Sequence, residues 1–218
     1  MSDLGLKNKR VLITAGPTWV PIDRVRVISN IATGQTGIFL AKELQKLGAK
    51  VTLLLGPVEA YGLDKNIKLI RFKFFDELKG LIKKELKSKK YDIFIHSAAV
   101  SDYRSSKIYP EKLKSGIKNL KLSLLPTEKL IDSIKKIAPY IFLVGFKLET
   151  DLSSKALINK AKNLIKRAKL DLAVANTIYN NQYKAFILDD KKAKGPFLNK
   201  KEMAKQLIKL IGEKLCRN

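Results

Sequence analysis

The sequence predicts an α/β fold with a mostly parallel central sheet and a late antiparallel hairpin. Short apolar runs, as at residues 11–14, 50–55 and 91–96, alternate with longer segments whose apolar residues recur at helical spacing. Strand–helix alternation of this kind builds a parallel sheet covered by helices. The pattern changes near the end, where residues 183–188 and 195–198 flank Asp189-Asp190-Lys191-Lys192, a hairpin signature.

In chain order, the strand at 11–14 ends in Ala15-Gly16-Pro17-Thr18. A long polar loop follows, and Gly34 and Gly37 open an amphipathic helix over 38–47. Residues 50–55, between Gly48 and Gly56-Pro57, form a second buried strand, and 67–72 alternates as a third. Asp76 is placed to cap a helix over 77–87, with Leu78, Leu81, Ile82 and Leu86 on one face. A fourth strand at 91–96 leads into Ser97-Ala98-Ala99-Val100-Ser101-Asp102-Tyr103. The charged stretch 104–119, with Ser105, Ser106, Pro110, Ser115 and Gly116, reads as an exposed, mobile flap. A strand edge at 120–124 and a helix from Thr127 to Ile137 come next. The remainder reads as a strand at 141–146, a helix at 154–168, a strand at 172–175 closed by Asn176, the hairpin, and a packing helix at 200–215. No repeat or low-complexity linker interrupts residues 1–218, which are expected to form one domain.

Composition narrows the function. The first ten residues are polar, and no apolar run reaches the roughly 18–20 residues that a membrane helix needs. One Cys and one His exclude an internal disulfide and a His/Cys zinc cluster. The expectation is a soluble, cytoplasmic protein with no membrane partner. The net charge of +24 suggests nucleic acid, but the excess is mostly Lys and is spread along every helix. Base reading and bidentate phosphate contacts favour Arg. Solvated helix faces explain the charge more simply, and no nucleic-acid partner is expected.

The loop between the first strand and its helix is about twenty residues long, where 2–6 are usual. A helix N-terminus behind glycines attracts phosphate through its unpaired N–H groups, and glycine lets a ligand come close. In a parallel sheet ligands collect at the C-terminal strand ends, here Gly16/Thr18, Ser97-Ala98-Ala99, Gly145-Phe146-Lys147 and Ala175-Asn176. A nicotinamide-dependent reductase of Rossmann type is disfavoured. The second strand ends in Leu55-Gly56-Pro57 without the acid that binds ribose, and the first loop lacks GxGxxG. Tyr103-x-x-x-Lys107 matches the reductase Tyr/Lys pair but directly follows the fourth strand, too early for that helix. The parts fit a phosphorylated substrate and a nucleotide, with no obvious nucleophile.

The ordered runs TAGPT, PIDRVRVISN with TG after it, SAAVSDYR, PEKLK, VGFKLETD and VAN resemble phosphopantothenoylcysteine synthetase, the phosphopantothenate–cysteine ligase of coenzyme A biosynthesis. The resemblance covers about residues 9–215 and implies a Rossmann-like three-layer fold. It also implies the monofunctional form, without flavin. Such enzymes join 4′-phosphopantothenate to L-cysteine through an acyl-nucleotide made with CTP or ATP, with Mg2+ arriving on the triphosphate, and the resemblance suggests a homodimer with residues 183–198 as a contact. It assigns Asn30 to holding the acyl-nucleotide and Lys112 to neutralising charge during activation. Arg26, Ala98, Ala99 and Asp102 fall to the phosphopantothenate side. Gly16, Thr33, Gly34, Gly37, Phe146 and Asn176 fall to the nucleotide, and the triphosphate lysine is Lys160 or Lys162, with Lys160 as the candidate. Departures from the common bacterial pattern, at Ser115, Leu125-Pro126-Thr127 and Thr177, leave CTP against ATP open.

Overall fold

Val11, Ile13 and Ala15 pack on one side of a sheet and Leu12 on the other, all fully buried, as a strand covered on both faces requires. A computed structural model describes residues 4–88, 90–179 and 182–216. In chain order the elements are β1 (Arg10–Ala15), β2 (Trp19–Pro21), β3 (Val27–Ser29), α1 (Gln35–Lys46), β4 (Lys50–Leu55), β5 (Lys68–Arg71), α2 (Phe75–Ser88), β6 (Ile93–His96) and β7 (Tyr103–Ser105). They continue with β8 (Leu124–Pro126), α3 (Ile131–Ile137), β9 (Phe142–Glu149), α4 (Ser154–Ala168), β10 (Leu172–Tyr179), β11 (Gln182–Leu188), β12 (Ala193–Phe197) and α5 (Lys200–Leu215).

Eight strands form one sheet in the order β12-β11-β10-β9-β6-β1-β4-β5. Pairings from β5 through β10 are parallel; β10–β11 and β11–β12 are antiparallel. The expected α/β class with a late antiparallel hairpin is what forms. Helices α1 and α5 cover one face and α2, α3 and α4 the other, giving three layers and two core clusters. Helix α4 shows the local logic. Ser153 Oγ accepts the Ala156 N–H at 3.3 Å, and Leu157, Ala161, Leu164, Ile165 and Ala168 form its buried stripe. Each large apolar side chain buried there contributes about 1.5–3 kcal/mol. The sheet edges are β5, with Lys68 and Arg71, and β12, with Lys194 and Pro196.

The chain builds outward from β1 through β4 to β5, then returns to the other side of β1 with β6. The order therefore reverses between β1 and β6, and the strand ends open a crevice there.

Several elements differ from the sequence reading. The long polar loop contains a hairpin, β2–β3, paired from Trp19↔Ser29 to Pro21↔Val27. Strands of three residues carry too little periodicity to be read. The stretch 104–119 is exposed, but it starts inside β7, which pairs with β8. The strand edge lies at Leu124–Pro126 rather than 120–124, and the helix begins at Ile131 rather than Thr127. Thr127 is held elsewhere: its N–H donates to the Asp102 carbonyl at 2.9 Å and its hydroxyl to the Ser101 carbonyl at 2.7 Å. Asp76 lies inside α2; the carboxylate that reaches back is Glu77, which accepts the Lys73 N–H at 2.7 Å. Strand β10 does not close at Asn176 but runs to Tyr179, because β9 and β11 pair with it on both sides.

Candidate active site

Helix α1 starts at Gly34, whose φ of 68° suits glycine and which offers no capping side chain to the first turn. The hollow left by its missing Cβ is filled by the protein itself: a Cβ there would meet Gly16 N at 3.2 Å and Val58 Cγ2 at 3.0 Å. One at Gly16, also in the left-handed region, would meet Gly56 N at 3.2 Å. A Cβ on Gly37 would fall 2.5 Å from Ala15 Cβ and 2.7 Å from Ser97 Oγ. These glycines have a packing reason, the close seating of α1 on β1 and β6. Thr33, just before them, is exposed.

At the crevice, pairing continues beyond the strands. Ala99 donates its N–H to the Gly16 carbonyl at 2.9 Å, and Thr18 donates to the Ala99 carbonyl at 3.2 Å. Thr14 Oγ1 lies 2.8 Å from His96 Nδ1 and accepts the Ala98 N–H at 3.3 Å. Thr18 Oγ1 accepts the Ser101 N–H at 2.8 Å. Burial lowers the His96 pKa to about 4, so the ring is neutral at pH 7. Two buried threonines and a neutral histidine thus fix the backbone of Ala98 and Ala99 as a rigid floor.

Directly after Ala99 the chain enters the lining of a cavity of about 300 Å³, formed by Val100, Ser101, Asp102 and Tyr103 with Asn30, Val20, Ile28 and Leu124. Its walls are the β2–β3 and β7–β8 hairpins. Asn30 Nδ2 donates to the Ala99 carbonyl at 3.0 Å, which leaves its amide oxygen towards the same region. Asp102 forms an ion pair with Lys129. The structure therefore brings together Asn30, Ala99 and Asp102, with Ala98 tied beneath them.

Arg26 and the flap meet at the tips of the two hairpins. Asp23, 4% exposed, accepts the Val25 and Arg26 N–H groups on Oδ1 at 2.9 and 2.8 Å. Its Oδ2 accepts the Leu113 N–H at 3.1 Å and Arg26 Nη1 at 3.3 Å. Burial acts to raise the Asp23 pKa, but these amides and the Arg26 guanidinium hold it below the usual carboxylate value. Arg26 Nη2 donates to the Leu113 carbonyl at 3.2 Å. Lys112 is exposed beside this anchored residue. Tyr109 donates its N–H to the Ile22 carbonyl at 2.9 Å, and Ser105 Oγ donates to the Pro21 carbonyl at 2.8 Å. The flap is tethered along one side of β2–β3, where the sequence suggested a mobile segment.

On β9 and β10 the placement is divided. Phe146 is half-buried against the α1/α5 core, and Asn176 shares that face by strand alternation. Asn176 Oδ1 is buried without a hydrogen-bond partner. Lys160 is on α4, beneath the opposite face, where Glu149 accepts from Lys147 at 2.8 Å and from Lys160 at 2.9 Å. The Lys147 and Lys160 hydrogen bonds, working against partial burial, lower the Glu149 pKa. The structure thus groups Phe146 with Asn176 and separates Lys160 from them. A larger cavity of about 1100 Å³, lined by Phe39, Tyr61, Tyr183 and Lys200 among others, holds none of the residues assigned to catalysis or ligand binding, but Tyr183 and Leu198 in its lining bound the segment 183–198 expected as a dimer contact.

Sequence reasoning placed Thr18 at the ligand end of its strand but missed Asp23, Thr14, His96, Lys129 and Glu149. Asp23 sits inside the PIDRVR run, which was the available signal. Thr14 and Glu149 likewise sit inside the TAGPT and VGFKLETD runs, whereas His96 and Lys129 act through contacts with Thr14 and Asp102, 82 and 27 residues away. Among the described residues no group of three or more His, Cys, Asp or Glu side chains is placed to hold a metal ion. No described helix is long and apolar enough to cross a membrane.

Strand order and a cavity at the reversal point define a doubly wound α/β protein with its ligand crevice at the C-terminal strand ends. A sequence model of the DNA/pantothenate metabolism flavoprotein C-terminal domain matches residues 6–215, and the chain belongs to that family. The coenzyme A biosynthesis bifunctional protein CoaBC of Thermococcus kodakarensis is 41% identical over 206 residues, which cover 93% of this chain and 50% of that protein. The chain spans about half the length of the curated relatives it matches. The DNA/pantothenate metabolism flavoprotein from Streptococcus pneumoniae superposes with a TM-score of 0.82 at 26% identity, over 93% of this chain and 98% of that one. The C-terminal domain of a CoaBC bifunctional protein superposes at 0.81 with 25% identity, over all of both chains.

Proposed function

We propose that the chain is a phosphopantothenate–cysteine ligase acting in coenzyme A biosynthesis in the cytoplasm. Residues 1–218 serve as one catalytic domain and 104–119 as its flap. The observation that carries this reading is the cavity lined by both Asn30 and Asp102, with Asn30 bonded to the Ala99 carbonyl. Relatives named as coenzyme A biosynthesis proteins support it.

In the first step a carboxylate oxygen of 4′-phosphopantothenate attacks the α-phosphorus of CTP or ATP. The new P–O bond forms as the bond to the β-phosphate bridge breaks, and pyrophosphate leaves. Lys112 neutralises the charge that builds on the phosphates. Mg2+ is treated as part of the nucleotide substrate, since such ions are held largely by phosphate oxygens. In the second step the cysteine amine attacks the acyl carbon. The C–O bond to the nucleotide breaks, the nucleoside monophosphate leaves, and the amine proton passes to solvent. Asn30 holds the acyl-nucleotide for this attack, and no covalent enzyme intermediate is needed. The backbone of Ala98 and Ala99 with Asp102 positions phosphopantothenate, and Arg26 adds positive charge. On the nucleotide side, Asn176 Oδ1 is an acceptor awaiting a donor, which cytosine N4 and adenine N6 both supply. Phe146 offers a ring to the base and Thr33 stands at the start of the triphosphate path. Gly16, Gly34 and Gly37 serve it by seating the α1 N-terminus there, and Lys160, held by Glu149 on the opposite face, reaches the triphosphate only if it leaves that ion pair. A homodimer with residues 183–198 as a contact completes the proposal.

The test is a reaction of the purified protein with 4′-phosphopantothenate, Mg2+ and CTP or ATP, with and without L-cysteine. Pyrophosphate and product mass are measured. Cysteine-dependent 4′-phosphopantothenoylcysteine is the expected outcome, and the faster nucleotide identifies the base preference. A folded sample that yields neither product with either nucleotide overturns the ligase.

A further inference from the structure

The geometry points to Asp23 as a positioning residue that clasps the flap and so sets Lys112 for the nucleotide-activation step; this rests on the ligase reading above. Asp23 is nearly buried, yet it lies in an exposed hairpin tip between β2 and β3. A carboxylate in such a place needs several hydrogen bonds, and Asp23 has them. Oδ1 accepts two N–H groups of its own turn, which shapes the hairpin. Oδ2 faces the other way, accepting Leu113 N–H and Arg26 Nη1, while Arg26 Nη2 takes the Leu113 carbonyl.

Asp23 and Arg26 together therefore hold both the N–H and the C=O of one flap residue, as a neighbouring strand would. Lys112 and Lys114 flank that residue on either side. The remaining flap tethers lie before it, at Ser105–Pro21 and Tyr109–Ile22, with an exposed Arg24–Glu111 ion pair at 3.7 Å between. The last of these is 72% and 79% exposed and holds little. The clasp at Leu113 is thus the attachment nearest Lys112 that is shielded from water. Both clasped hairpins also supply the cavity walls through Val20, Ile28, Tyr103 and Leu124. Releasing the clasp lets the lysine wander while leaving Asn30 and the sheet untouched.

Asp23→Asn tests this with little change of shape. Its Oδ1 still serves the turn, but an NH2 group replaces Oδ2 and sets donor against donor at Leu113 and Arg26. Hydrogen exchange at the Leu113 amide is expected to quicken about tenfold or more. Pyrophosphate release is expected to fall about 10²-fold in kcat, the scale of an ångström's misplacement of a catalytic group. Cysteine capture of the acyl-nucleotide, followed in a single turnover, is expected to keep its rate. In a Lys112→Gln background, Asp23→Asn is expected to cost nothing further, because it acts through that lysine. An unchanged Leu113 exchange rate, or an equal cost in both backgrounds, or equal slowing of both steps, overturns the proposal. If Asp23→Asn is recovered unfolded, Leu113→Pro removes the same N–H from the flap side and takes its place in the cycle. A wild-type protein that forms no product overturns the ligase reading instead, and Leu113 exchange still decides whether the clasp exists.

Discussion

The eight-stranded sheet and the pair of hairpins above it are built on opposite terms. In the sheet, β1, β4 and β6 bury nearly every side chain, and their backbones are paired on both sides. In the hairpins, strands of three residues leave Val27, Ile28, Leu124 and Leu125 exposed by 37–43%. They are fastened by individual polar contacts such as those of Asp23 and Thr127. Hydrophobic burial holds the scaffold, whereas single hydrogen bonds place the groups proposed to meet substrate. A change in one region should therefore leave the other's readout unmoved.

The largest expected effects break that separation from the reactive side. Asn30→Asp is expected to block cysteine ligation by about 10²–10³-fold while pyrophosphate still appears, the scale of a lost transition-state contact. Lys112→Gln is expected to suppress both outputs by a similar factor. Both residues are exposed, so melting temperatures are expected to match the wild type. Normal product from either variant removes that residue from the mechanism.

Next comes His96, which belongs to the sheet but underlies the site. Its folded pKa of about 4 lies below an unfolded value near 6.5. Between those values the unfolded chain takes up a proton that the folded one refuses. Stability therefore falls as pH drops through this window, by about 3 kcal/mol in full, and does not fall further from this group below it. Urea midpoints from pH 7 to pH 4 are expected to show this slope in the wild type and a flatter profile in His96→Gln. Equal slopes would mean that the ring is not the group responsible.

Gly37→Ala sharpens the comparison at the seam. The new methyl would stand 2.5 Å from Ala15 Cβ, so a cost of about 1–3 kcal/mol is expected in thermal or urea melts. A variant that melts normally yet loses nucleotide affinity would return Gly37 to a ligand role. The smallest effect is Asn199→Ala. Asn199 Oδ1 caps α5 by accepting the Glu202 N–H at 2.7 Å, and its loss is expected to cost about 1 kcal/mol with no change in ligation rate.

This difference also explains what could be read in the sequence. Helices α4 and α5 and strand β4 have the boundaries that periodicity predicts, because each buries one continuous apolar set. The hairpins β2–β3 and β7–β8 were not legible, since their pairing is decided by partners such as Ser105 and Pro21, 84 residues apart. Asn176 was read as a strand end because it is polar, but flanking strands carry β10 past it. At the site, the motif runs located Asn30, Asp102, Arg26 and Lys112, and the structure adds what supports them: Thr14 and Thr18 under the floor, Asp23 behind the flap. Thr14, Thr18 and Asp23 lie inside the TAGPT and PIDRVR runs, but those runs do not say which of their residues support the site and which line it. Spacing alone also does not reveal that Gly16 and Gly34 close on each other rather than standing open.

The two margins of the sheet carry a consequence for assembly. On β12, Pro196 has no N–H to give, and Lys194 places a charge where another strand would have to lie. On β5, Lys68 and Arg71 are also basic, although Lys68 is paired with Glu85 at 3.0 Å and Arg71 donates to the Val58 carbonyl at 2.5 Å. Two copies set margin to margin would bring cation against cation and meet a proline where a ladder bond is due. Copies of this chain are thus steered away from fusing their sheets into one. A dimer through residues 183–198 is in turn steered towards the faces and turn of the β11–β12 hairpin rather than its open edge. The same blunted margins guard the protein against strand-by-strand aggregation in a crowded solution.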